Sequence, residues 1–227
     1  ILQSHISEHV SFMAREEVMA QNQQVARADR EVNEDLSDSS NQKLADAIRS
    51  TINDIDGLIL EDYNKGVLNV NSIPEIIGLA NKAGKPIYVD PKESNFKMYK
   101  HIRLFKPNLS EFQNAYSGRD SLEVSGFNLK KDLDAEILMI TRSSDGVSLF
   151  VGSDYHHIPT KARHVHDVSG AGDTVISTFT LSDLCGALPK ESVALSNYAA
   201  GRVCEEVGVV PITLEMLNEM VDHHNSI

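Results

Sequence analysis

Strand-like and helix-like stretches take turns along most of this chain, and that alternation restricts the fold more than any other feature. Behind a cap at Ser39 or Ser40, Leu44, Ile48, Ile52 and Ile55 fall on one helical face, and "GLILE" at 57–61 then reads as a buried strand. "NSIPEIIGLANKAG" follows, with Ser72 as cap, Pro74 in the first turn and Gly84 past the end, before the strand "PIYVD" that closes on Asp90. After "HIRLF" and a short helix from Leu109 come the strands "ILMIT" and "VSLFV", then helices from Gly172, from Pro189 to Val207 and after Thr213. Strands separated by helices predict an α/β fold with a mainly parallel sheet covered on both faces. Ligands then gather at the carboxyl ends of the strands. At 227 residues the chain is long enough for one sizeable core with a small appendage.

The first 35 residues leave two readings open. "REEVMAQNQQVARADREV" is rich in helix formers, yet Val25, Arg27 and Asp29 alternate as a strand would. The polar stretch "NEDLSDSSNQ" at 33–42 is the plausible boundary between this segment and the α/β body. A net charge of -12, with 33 acids against 21 Lys and Arg, speaks against a nucleic-acid surface, which needs a basic face. A polyanion can still bind locally through backbone amides, a helix N-terminus, a few placed cations or a metal ion. No apolar run approaches the roughly 18 residues that span a bilayer, and no signal-peptide order opens the chain, so a membrane partner is not expected. Cys185 and Cys204 form no CxxC and read as two core thiols in a reducing cytoplasm. A start at Ile1 rather than Met suggests a fragment.

"HDVSGAGDTVIS" at 166–177 carries the chemistry. It is neither a Walker A loop, since no Gly-Lys-Ser/Thr follows, nor a dinucleotide fingerprint, since Val175 stands where the third glycine belongs. One reading makes it a tight turn with Asp173 complementing the helix dipole. The sharper reading has Gly170, Ala171 and Gly172 expose their amides as an anion hole, with Asp173 as the base for a hydroxyl attacking the bound phosphate. A carboxylate beside a phosphate site is electrostatically unfavourable unless it has such a task. The doublets His156–His157 and His223–His224 diverge on a strand or helix and read as surface residues, and His166 as a strand-end residue.

"DVSGAGDTVIS" resembles the C-terminal signature of the ribokinase-like carbohydrate kinases, the PfkB family. "NQQVARADRE" (22–31), "LILEDYNKGVL" (58–68), "AGKPIYVDPKESNFKMYKHIRLFKPNLSEF" (83–112) and "LMITRSSDGVSLF" (138–150) are similar, within that family, to heptose-7-phosphate kinase domains of bifunctional ADP-heptose synthases. The resemblance runs from about residue 16 to about 215. It implies a ribokinase-like, Rossmann-type three-layer α/β/α body at 34–227 and tips residues 1–33 toward strands, as part of a small β-lid. It implies Asp173 as catalytic base and Gly170, Ala171 and Gly172 as the anion hole. Asn108 and Glu111 match the family's Asn-x-x-Glu motif, which organises Mg2+ and phosphates through water; their bland alternative is a Pro-Asn turn with a helix-start acid. Thr141, Arg142 and Ser143 are expected on the nucleotide side, and Asn197, Ala200 and Gly201 at the adenine pocket. Arg15, Asp62 and Lys65 are expected near the sugar, with a solvated loop lysine the alternative for Lys65. ATP, a sugar or sugar phosphate, and a second copy paired through the lid are the implied partners.

Three departures from the family pattern bear on this. The sugar-side stretch, usually Thr-Thr-x-Lys-Thr-Arg, reads "VSFMAR" at 10–15, so Met13 replaces its lysine while Arg15 remains. Val209 stands where the family has a threonine, near the nucleotide or a monovalent ion. The family's N-terminal portion, with the sugar-binding acid, does not precede Ile1. A kinase of another sugar and a nucleotide-binding module without turnover therefore stand as alternatives.

Overall fold

The computed structural model describes residues 14–20, 23–30, 34–116, 120–160 and 167–224. Strands β1 (Ala14–Ala20) and β2 (Gln23–Arg30) pair antiparallel as a separate two-stranded sheet, so cross-strand pairing overrides helix propensity here. The body holds six more strands: β3 (Leu58–Glu61), β4 (Ile87–Asp90), β5 (Ile102–Phe105), β6 (Ala135–Thr141), β7 (Val147–Val151) and β8 (Asp154–Ile158). They lie in chain order in one sheet. The first four run parallel, and β7 and β8 return antiparallel. The helices are α1 (Asp38–Thr51), α2 (Ser72–Lys82), α3 (Leu109–Ala115), α4 (Leu122–Asp132), α5 (Ala171–Leu184), α6 (Pro189–Cys204) and α7 (Leu214–His224).

Neighbouring residues on each central strand enter opposite cores, because side chains alternate across a sheet. Val89, Phe105 and Leu138 join Ile48 of α1, Ile76 of α2 and Leu129 of α4. Tyr88, Leu104 and Ile137 join Ile176 and Phe179 of α5 and Val193 of α6. The result is the three-layer α/β/α arrangement. Among the described residues no helix is long and apolar enough to cross a membrane.

Several local expectations are corrected. Ser37, not Ser39 or Ser40, caps α1 by accepting from the Ser40 amide at 3.2 Å. Ser72 is the first residue of α2 rather than its cap; the Asn69 side chain takes the Asn71 and Ser72 amides at 2.9 and 3.0 Å. Helix α6 stops at Cys204, leaving Val207 exposed. Cys204 is buried but Cys185 is exposed, so one thiol rather than two belongs to the core. Two elements were not expected at all. Helix α4 lacks a bold apolar stripe because Ser125 and Gly126 share its inward face with Leu129; a Cβ on Gly126 would stand 2.3 Å from the Phe150 ring. Strand β8, "DYHHI", is a polar strand at the edge of the sheet.

Candidate active site

The carboxyl ends of the parallel strands and the N-terminus of α5 enclose a cavity of about 860 Å3. Asp90 ends β4, Lys106 follows β5 and Thr141 ends β6; each reaches the cavity wall. Asn108, Glu111 and Ser143 line it from loops, Ala171, Gly172 and Asp173 from α5, and Asn197, Ala200 and Gly201 from α6.

The turn into α5 needs glycine for backbone reasons. Gly170 adopts φ +78°, a left-handed conformation that side chains disfavour, and no side chain caps the helix after it. Gly170 does not itself line the cavity, and Val209 packs against it: a Cβ there would meet the Val209 Cγ1 at 3.4 Å. The first turn of α5 stands over an ion pair: a Cβ on Gly172 would be in ordinary contact, 3.7 Å from Lys106 Nζ and 3.8 Å from the Asp90 carboxylate. Exposed Asp173 follows, and Tyr63 donates its hydroxyl to Asp173 Oδ2 at 3.4 Å.

Acidic groups crowd this end. Carboxylate oxygens of Glu61, Asp90 and Asp173 lie within 4.8 Å of one another. Burial, then the charge and hydrogen bond of Asp173 and the charge of Asp90, push Glu61 up to about 7, and its Oε1 is buried with no partner among the described residues. Burial also raises Asp90 despite the Lys106 ammonium 2.7 Å away. Tyr63 is raised by burial and by Glu61 and Asp173 beside it.

Asn108 and Glu111 form a reciprocal capping box at the start of α3. Asn108 Oδ1 accepts from the Glu111 amide at 2.8 Å, Glu111 Oε2 accepts from the Asn108 amide at 2.9 Å, and Lys92 pairs with Glu111 Oε1. The helix-start role is thus realised in the geometry. Both residues line the cavity, their amide and carboxylate oxygens have acceptor capacity beyond these bonds, and a hard-oxygen set of this kind fits a partly hydrated divalent cation. Asn197 also lines the cavity, and its buried Nδ2 has no acceptor among the described residues.

Four expected residues lie elsewhere. Asp62 is turned inward, where it accepts from Tyr99 at 2.7 Å, Asn95 at 3.0 Å and the Asn64 amide at 2.8 Å; it is a buried structural acid rather than a cavity residue. Lys65 does not line the cavity. Arg142 turns away to Ser148 and His157 at 3.4 and 3.2 Å. Arg15 sits in β1 opposite Asp29. Met13, Val10, Ser11 and His166 lie outside the described residues. Sequence reasoning missed Glu61, Tyr63, Asp90, Lys92 and Lys106. The available signal was strand parity: with Leu60 buried in the core, Glu61 points to the other side of β3, and polar residues that end parallel strands face the ligand edge.

Residues 8–215 match the pfkB family carbohydrate kinases. The chain belongs to this family. The pfkB-type kinase is 40% identical over 205 residues to the bifunctional protein HldE of Proteus mirabilis, covering 87% of this chain and 42% of that protein. It is 36% identical over 214 residues to the HldE of Syntrophotalea carbinolica, covering 91% and 43%. The chain thus spans less than half the length of these curated relatives. Phosphofructokinase-2 from Escherichia coli in complex with potassium superposes with a TM-score of 0.73 at 14% identity, over 88% of this chain and 67% of that one. Ribokinase from Arabidopsis thaliana, complexed with ribose and ATP, gives 0.65 at 17% identity, over 85% and 65%. The fold of this carbohydrate kinase is therefore ribokinase-like.

Proposed function

We propose that the chain is the phosphoryl-transferring body of a cytoplasmic, ATP-dependent kinase acting on the anomeric hydroxyl of D-glycero-β-D-manno-heptose 7-phosphate. One observation carries the chemistry: Asp173 stands one residue beyond the Gly170–Gly172 turn, facing the same cavity as Asn108 and Glu111. The HldE relatives at 36 and 40% identity support the choice of sugar. The strands β1 and β2 act in this reading as part of a lid, at 1–33, over the body at 34–227, and two copies pair through it.

ATP lies across the strand ends with its base toward Asn197, Ala200 and Gly201 and its phosphates at the turn before α5. Amides of Gly170, Ala171 and Gly172 hold charge on the transferred group. Asp173 takes the proton of the sugar hydroxyl as its oxygen attacks the γ-phosphorus; the new P–O bond forms, the bond to the bridging oxygen breaks, and ADP leaves. Asn108 and Glu111 would hold Mg2+ through water, and the ion would neutralise phosphate charge.

The test is a panel assay of ADP release with phosphorylated and neutral sugars, product identity being checked by NMR. Heptose 7-phosphate should be phosphorylated at the anomeric position in preference to the others. A second reading, a kinase of a different sugar, is favoured by Met13 in place of a cation; preference for a neutral sugar would establish it. Absence of nucleotide binding altogether would end both.

A further inference from the structure

We propose that Glu61 is a positioning residue for the transfer reaction: its protonated carboxyl donates a hydrogen bond to Asp173 and holds that base at the cavity. The inference rests on the kinase reading above and adds a residue behind the base.

Glu61 ends β3, Asp173 lies in the first turn of α5, and the two side chains are hydrogen-bonded, their oxygens within 4.8 Å of each other and of Asp90. Carboxylates only accept, so a hydrogen bond between two carboxyl groups needs one of them to keep its proton. Solvation decides which. Asp173 is exposed, whereas Glu61 is half-buried, with its Oε1 covered and without a partner among the described residues. Negative charge is therefore less stable on Glu61, and the proton resides there, which leaves Asp173 ionised and able to act as base. Asp173 lines the cavity and Glu61 does not, so Glu61 acts through its neighbour rather than on the sugar.

The groups facing Glu61 are Asp173 from α5, Asp90 from the end of β4 and the Tyr63 hydroxyl two residues along its own chain. Lys106 answers the charge of Asp90 at 2.7 Å. Tyr63 meets both of the other acids, but a phenol has one proton, so it cannot donate fully to Asp173, at 3.4 Å, and to Glu61 together. The acid proton of Glu61 completes the set. Burial first, then the two neighbouring acids, keep that proton in place up to about pH 7. Once it leaves, Asp173 loses a donor and gains an adjacent like charge, and a further negative charge stands near the phosphates of the proposed reaction. Turnover then falls as pH rises.

The test has a structural arm and a kinetic arm. Carbon NMR of labelled glutamate side chains, with Glu61 assigned by its absence from Glu61→Gln, should show Glu61 titrating near pH 7 in the parent and about one pH unit lower in Asp173→Asn. In the kinetic arm, kcat at saturating MgATP and heptose 7-phosphate should fall about 10-fold in the parent from about pH 6.5 to about pH 8.5. Glu61→Leu, which cannot donate, should be lower by about the same factor already at the acid end. Glu61→Gln, whose amide donates at every pH, should recover most of that loss and show no fall. A Glu61 that titrates in the ordinary carboxyl range, or is unmoved by Asp173→Asn, would overturn the proposal. So would parent turnover that stays level or rises through the window, or a higher magnesium requirement in Glu61→Gln, which would make the three acids a cation site. If Glu61→Leu does not fold, the titration and the profile of Glu61→Gln decide. A parent that phosphorylates no sugar would sink the kinase reading and this inference with it, whereas an uncoupled Glu61 sinks this inference alone.

Discussion

Asp173 has two of the surroundings that a base needs: a hydrogen bond from Tyr63 that helps to fix its carboxylate, and a place on the wall of a cavity. A sugar hydroxyl is a poor nucleophile at neutral pH, and a positioned base contributes about 10²- to 10⁴-fold. Asp173→Asn should therefore lower turnover by that order while nucleotide affinity, read by calorimetry, stays level or tightens slightly as a negative charge leaves the phosphate site. Loss of nucleotide binding and stability together would reduce Asp173 to a helix-start residue. Its neighbour Glu61 has a separate signature. The fold raises Glu61 from 4.5 to about 7, so between those values the native protein holds a proton that the unfolded chain has released. Unfolding free energy must then fall as pH rises through that window and level off above it. Glu61→Gln removes this contribution. In urea titrations its stability relative to the parent should improve steadily from about pH 5 to about pH 7; parallel curves would show that Glu61 ionises normally.

At the scale of elements, packing decides what the sequence pattern shows. Helix α4 presents Gly126 to the Phe150 ring of β7, and that ring in turn meets Phe127 edge-on at 5.2 Å. Gly126→Ala improves helix propensity by about 1 kcal/mol but drives a methyl to 2.3 Å from the ring, and overpacking of this kind costs about 1–3 kcal/mol. The variant should be less stable than the parent in urea unfolding, the opposite of what propensity predicts. This also explains what could be read in advance. Strands β4, β6 and β7 announce themselves through continuous apolar runs, because both faces of each are covered. Helix α4 did not, since a glycine and a serine stand where an apolar stripe belongs, and β8 did not, since an edge strand with half its face in water has no such run. In the site, the turn before α5 was legible because its glycines and acid are adjacent in sequence. Glu61 and Asp90 end two different strands and Lys106 follows a third, and only the sheet register brings them together. Asp62 misled for the same reason: sequence adjacency to Glu61 says nothing of which one faces the core.

Across the whole molecule, α5 connects the back of the sheet to the cavity. Its first turn carries Ala171 to Asp173, and Asp183 lies on its last turn, roughly 15 to 18 Å away at 1.5 Å per residue. There the Asp183 carboxylate, 5% exposed, accepts from Arg103 of β5 at 2.7 and 3.0 Å and from Tyr88 of β4 at 2.7 Å. Burial alone would raise this acid, but the Arg103 and Tyr88 hydrogen bonds outweigh it and hold the carboxyl below its ordinary value. Its stabilisation is accordingly present above that ordinary value and is lost as pH falls through the lowered one. Glu136 meets the same arginine from the other side but is 66% exposed. The two acids therefore predict different outcomes. Asp183→Ala strands a partly buried guanidinium and a buried phenol, and should cost about 2–3 kcal/mol, below the 3–5 kcal/mol of a fully buried pair because Arg103 still reaches water. Glu136→Gln should change stability by less than about 1 kcal/mol, as surface pairs do. Urea midpoints at constant slope would measure both. If α5 is held in register by this anchor, Asp183→Ala should also weaken nucleotide binding although it touches no cavity residue, and Glu136→Gln should not. Equal costs for the two substitutions would mean that the helix is fixed by its apolar face alone, through Val175, Ile176 and Phe179.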